Sequence, residues 1–89
     1  MALQKALEGL LDHKILKVLR LFFENKEKLF YLREISIEAN VPVATTFRIM
    51  NKLVALDIVR LIQIRKFKLY QLAKNEKTAF LESIMMGEK

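Results

Sequence analysis

The stretch Asn40–Leu53, NVPVATTFRIMNKL, constrains the chain more than any other. It places a signal that ends one helix beside a signal that starts another. Asn40 tolerates left-handed backbone better than most residues and suits a helix C-terminus. Pro42, two residues on, suits the first turn of the next helix because its φ is already helical. Two helices must therefore meet through a very tight turn. The first turn of the second helix, Pro42-Val43-Ala44-Thr45-Thr46, is small and uncharged. Solubility alone would favour Lys and Glu there, so the turn is expected to face something other than water.

The helix before this break runs from Arg33 to Ala39, with Ile35 and Ala39 inward and Glu34 and Glu38 outward. The helix after it extends to about Leu56, with Thr46, Ile49, Met50, Leu53 and Leu56 on one face, and Asp57 ends it. Upstream, Leu7, Leu11, Ile15, Val18, Leu19 and Phe22 recur at steps of three and four, an apolar helical stripe ending near Glu24. Asp12 can cap a helix starting there, or the helix begins near Ala2 and tolerates Gly9 at a cost of about 1 kcal/mol. Asn25-Lys26-Glu27-Lys28 is a polar turn, and Leu29-Phe30-Tyr31-Leu32 reads as a short strand. Downstream, Ile58–Ile64 and Lys68–Leu72 are strands of a hairpin around Arg65-Lys66-Phe67, although the glycine usual in a tight turn is missing and the register is open. Asn75 is a good N-cap for a last helix to about Met86, with Phe80, Leu81, Ile84 and Met85 as its stripe and Gly87 as its end.

The 89 residues suggest one domain, residues 1–89, which buries roughly 60–65% of the surface of its unfolded chain. A chain that is 53% hydrophobic, with two Gly and one Pro, favours a compact and mainly helical fold. No apolar run approaches the roughly 18–20 residues of a membrane span, and no signal-peptide layout is present, so a cytoplasmic protein is expected. With no cysteine, disulfides and thiolate metal sites are excluded. His13 is the lone histidine and is expected at the surface; no metal site follows from it. Ser36 and Ser83 lack a His or Lys partner at useful spacing, and no glycine-rich phosphate loop occurs, so no enzyme and no cofactor are expected.

Charge is unevenly placed. The net charge is +6, and residues 42–74 hold seven basic side chains (Arg48, Lys52, Arg60, Arg65, Lys66, Lys68, Lys74) against the single acid Asp57. The rest of the chain balances nine against nine. Such asymmetry points to a polyanionic partner.

Two helices joined by a tight turn, the second carrying polar and basic residues, form the helix-turn-helix pattern, and a basic hairpin after them makes it winged. Residues 31–72, YLREISIEANVPVATTFRIMNKLVALDIVR followed by IRKFKLYQL, resemble the winged helix-turn-helix domain of small archaeal and bacterial transcriptional regulators, a group similar to the MarR and ArsR families. Thr45, Thr46, the ladder Ile49 to Leu53, the Ile58-Val59 pair and Tyr70-x-Leu72 carry the resemblance. Asn40 and Asp57 stand where such families often have Gly, and Phe67 stands at a wing tip where Gly is common. The resemblance implies a mainly α winged helix with a short β-hairpin wing and flanking N- and C-terminal helices.

It also implies double-stranded DNA as the partner. The N-terminal end of the second helix would enter the major groove. Pro42, Val43 and Ala44 would allow close approach, Val43 and Ala44 meeting thymine methyls, with the Thr45 hydroxyl donating to a phosphate or base. Arg48 suits guanine O6 and N7, Asn51 suits adenine N6 and N7, and Lys52 suits phosphate. Arg65, Lys66 and Lys68 form the wing contact, which sets affinity and register rather than sequence choice. Leu3, Leu7, Leu10, Phe80, Leu81, Ile84 and Met85 are more apolar than one small domain covers, and a homodimer is expected across them. The alternatives are that these stripes only close the monomer core, and that the domain is a protein-interaction module of a polymerase-associated or other assembly. No small-molecule ligand is evident.

Overall fold

The computed structural model describes residues 12–87. The element order is α1 (His13–Glu24), α2 (Leu32–Ala39), α3 (Val43–Ala55), β1 (Val59–Ile64), β2 (Phe67–Leu72) and α4 (Glu76–Met85). Four helices and a two-stranded antiparallel hairpin make a mainly helical winged helix, as the sequence pattern implied. Leu3, Leu7, Leu10 and Leu11 lie outside the described residues.

α1 starts at Asp12, whose carboxylate accepts from the Lys14 backbone N–H at 2.9 Å. This satisfies one of the amides that a helix start leaves unpaired. Ile15, Val18, Leu19, Phe22 and Phe23 put its apolar stripe into the core. Phe22 meets Phe30 edge to face, with ring centroids 5.1 Å apart. The Leu29–Leu32 segment differs from expectation. It supplies one bridge and no strand: Phe30 and Tyr70 exchange both backbone hydrogen bonds at 2.8 Å, and Leu32 already begins α2. The Glu34 carboxylate accepts from the Tyr31 N–H and so holds the chain to the helical turn there.

α2 and α3 end in the same way. Asn40 has φ 57° and Asp57 has φ 65°. Val41 N–H donates to Ser36 O at 3.0 Å, and Ile58 N–H donates to Leu53 O at 2.9 Å, the six-residue closure of a Schellman ending. Between α2 and α3, the Val41 carbonyl accepts from the buried Ser36 Oγ at 2.6 Å, and the buried Thr46 Oγ1 lies 3.3 Å from it. Thr46 Oγ1 also lies 2.9 Å from Pro42 O. Pro42 itself is the N-cap residue, one position before the first helical turn. Thr46, Ile49, Met50 and Leu53 are buried, whereas Leu56 is 48% exposed because α3 has already ended.

The hairpin register pairs Val59 with Leu72, Leu61 with Tyr70 and Ile64 with Phe67. Only Arg65 and Lys66 form the turn, so Phe67 belongs to β2 and not to the tip. Val59, Tyr70 and Leu72 are buried on the inner face; burial raises the Tyr70 phenol above its usual pKa. Asn75 Oδ1 accepts from Thr78 N–H at 2.9 Å and caps α4, while Asn75 Nδ2 donates to Asp57 O at 2.8 Å. One side chain thus ties the start of α4 to the end of α3. In α4, Leu81, Met85 and Met86 pack on the core and Phe80 stays exposed.

Two stability measurements follow. Thr46→Val keeps the shape but removes the hydroxyl, and chemical denaturation is expected to show a loss of about 1–2 kcal/mol. Asp57→Gly is expected to change stability by less than about 1 kcal/mol, whereas Asp57→Val, β-branched at a left-handed position, costs about 1–2 kcal/mol or more.

Candidate nucleic-acid interface

Core packing of α3 decides which of its residues face outward. With Thr46, Ile49, Met50 and Leu53 inside, a 100° step per residue turns Ala44, Arg48, Asn51 and Ala55 directly away from the core. Val43 and Phe47 flank that line on one side, Thr45 and Lys52 on the other. All are exposed except Thr45, which is half-buried and open to its flank. The first turn is thus unsealed, and the residues expected to meet a partner stand on one side of one helix.

The Thr45 side faces the start of α1. Asp12, Lys14, Thr45, Arg48 and Lys52, with Ile15 and Ile49 beneath, line a cleft of about 460 Å³. An Arg48 guanidinium N–H points to Thr45 Oγ1 at 3.5 Å. Three cations and a hydroxyl surround the cleft against a single carboxylate, and none of the three is in an ion pair among the described residues. Sequence reasoning missed Lys14, because only tertiary packing brings it beside α3.

At the wing tip, Arg65 has φ 57°, and Lys66 is not in the left-handed region. Two-residue hairpin turns usually place Gly or Asn at a positive φ. An arginine there costs about 1–2 kcal/mol relative to glycine, and in return the tip carries a guanidinium. Arg65, Lys66 and Lys68 are all exposed and without ion pairs among the described residues. Phe67 packs toward the start of α2. Its ring meets Tyr31 edge to face at 6.3 Å, which braces the tip against the start of α2. Tyr31, the N-cap of α2 beside the buried Phe30, was not singled out by the sequence, because its partner Phe67 lies far along the chain.

The basic block of residues 42–74 does not stay together in space. Arg48 and Lys52 lie on α3, and Arg65, Lys66 and Lys68 crowd the wing tip. Arg60 and Lys74 sit apart, lining a separate depression with Glu27 and Gln71, and Lys74 pairs with the Glu27 carboxylate. Of the expected dimer residues, Leu81 and Met85 are partly buried against the core, Ile84 is half-buried and Phe80 is open. Among the described residues no three of His, Cys, Asp or Glu gather as metal ligands, and no helix is long and apolar enough to cross a membrane.

Comparison with known proteins finds this fold in solved structures. A ferric uptake regulator from Francisella tularensis, solved with iron, superposes with a TM-score of 0.69 at 19% identity over 74% of this chain and 55% of that one. A MarR family transcriptional regulator from Silicibacter pomeroyi DSS-3 superposes with a TM-score of 0.72 at 14% identity over 97% of this chain and 61% of that one. At such identities the likeness concerns the fold, and the chain spans less than two thirds of either regulator. No curated protein matches the sequence. Residues 13–61 match the IclR helix-turn-helix domain, from the start of α1 into β1. That match covers more than half of the chain, and the chain therefore belongs to the IclR helix-turn-helix domain family.

Proposed function

We propose that the chain binds double-stranded DNA sequence-specifically as a homodimeric transcriptional regulator. The observation that carries this reading is the outward row of α3, flanked by cations that form no ion pair among the described residues. α3 enters the major groove by its N-terminal half, where Val43 and Ala44 are too small to hold it away from the base edges. Arg48 and Asn51 read bases, Arg with two donors toward guanine, Asn with a donor and an acceptor toward adenine. Thr45, Lys14 and Lys52 around the α1–α3 cleft hold a backbone phosphate, and Arg65, Lys66 and Lys68 hold another stretch of backbone through the wing. This is binding, not catalysis, and a DNA partner fits a cytoplasmic protein associated with the nucleoid.

The dimer brings two such helices to the same face of the duplex, about one helical turn or roughly 34 Å apart. Phe80 and Ile84 on α4, with Leu81 and Met85 behind them, supply its apolar contact, together with Leu3, Leu7 and Leu10. A second reading, a protein-interaction module, is favoured by one observation: Ile64, Phe67 and Tyr31 leave apolar surface on the outer side of the wing.

Duplex binding separates the two. Three to five phosphate contacts per monomer give a slope of log affinity against log salt of about −3 to −4.5. Lys66→Ala or Lys14→Ala should weaken all sequences alike and reduce that slope by about one; Arg48→Ala should relax base preference. A protein that retains no duplex at low salt supports the interaction reading. For the dimer, Phe80→Glu should halve the mass measured by light scattering and abolish preference for paired half-sites. A monomeric wild type removes the dimer from the account.

A further inference from the structure

The outer side of α3 is less polar than a DNA-reading helix needs to be. Val43 is 44% exposed and Phe47 is 50% exposed. They stand four residues apart on one flank, so their Cβ atoms are about 6 Å apart. Phe47 is in neither of the aromatic pairs among the described residues, which are Phe22 with Phe30 and Tyr31 with Phe67. Half of its surface is open to solvent. Asn51 continues the same row one turn further on. Val43, Phe47 and Asn51 thus form a line of apolar, apolar and amide groups along the helix, beside the line of Ala44, Arg48 and Lys52.

Resting on the DNA-binding reading above, we propose that Val43 and Phe47 form an apolar strip that reads 5-methyl groups of thymine at two positions of each half-site. The 5-methyl of a pyrimidine is the apolar group that a base pair presents in the major groove, and apolar side chains, phenylalanine among them, are its partners. Four residues of helix advance about 6 Å, close to two base-pair steps, so the two methyls lie about two base pairs apart. Asn51 adds a preference for adenine at the far end of the row. A 5-methylcytosine offers the same methyl, but the neighbouring asparagine favours an A·T-rich segment and hence thymine.

The test uses the full chain and a duplex selected from random sequence. Each thymine is replaced in turn by deoxyuridine, which removes only the methyl, and affinity is measured by competition. Wild type is expected to lose about fourfold, the worth of one buried methyl group, at two positions about two base pairs apart. Phe47→Ala and Phe47→Gln should bind more weakly and lose their response at one of those positions only. Both change an exposed side chain, and unchanged thermal unfolding checks their fold. A wild type that binds the selected duplex but ignores every deoxyuridine overturns this inference and leaves the DNA reading standing. So does an equal response in wild type and both Phe47 variants. Cytosine at the two positions, bound more tightly when 5-methylated, overturns the assignment to thymine. Absence of any duplex binding overturns both readings.

Discussion

The Val41 carbonyl is the hinge pin of this fold. It lies in the turn between α2 and α3, where a buried oxygen without a donor would cost about 1–3 kcal/mol. Ser36 from α2 donates to it at 2.6 Å, and the Thr46 hydroxyl from α3, which is 2.9 Å from Pro42 O, lies 3.3 Å from it; both are buried. One acceptor thus joins the two helices at short range, while the left-handed Asn40 reverses the chain between them. Because Thr46 is inside, the helical step sends Ala44, Arg48 and Asn51 outside. The direction of the reading face is therefore a consequence of what α3 buries, Thr46 with Ile49, Met50 and Leu53, not of the charged residues that occupy it.

The far end of α3 is held with equal economy. Asp57 closes the helix in a left-handed turn, its carbonyl accepts from Asn75, and Ile58 O accepts from Ala73 N–H at the base of the hairpin. The wing is fixed at its root by Phe30 and Tyr70 and at its tip by Tyr31 and Phe67. A hairpin with only two strands is marginal alone; these contacts give it a direction relative to α3. That relation sets the wing tip at a fixed place beside the helix, as the proposed DNA reading requires.

Much of this was legible because the signals are local. Asn40, Pro42 and Asp57 act through their own backbone preferences. Asn75 acts on an amide three residues away, and the α1 and α3 stripes repeat within a few turns. The Leu29–Leu32 segment was misread as a strand because four apolar residues do not distinguish a strand from a single bridge followed by a helix. The hairpin turn was read one residue too long, since no glycine marked the left-handed position that Arg65 occupies. Leu56 was placed inside by periodicity, but periodicity stops where the helix stops. Phe47 could have been found by the same wheel that placed Ile49 and Leu53, because it falls outside their arc.

By itself the sequence determined the order of the helices and the hairpin, the two left-handed helix endings and the set of side chains that could meet a polyanion. Each depends on covalent geometry or on neighbours within about four residues. Tertiary structure alone decided which cations work together. It brought Lys14 to Thr45 and Arg48, drew Lys74 to Glu27, and left Arg65, Lys66 and Lys68 without ion pairs among the described residues. Charges act through distance in space, and the distance between residues far apart along the chain is set only when the core has packed.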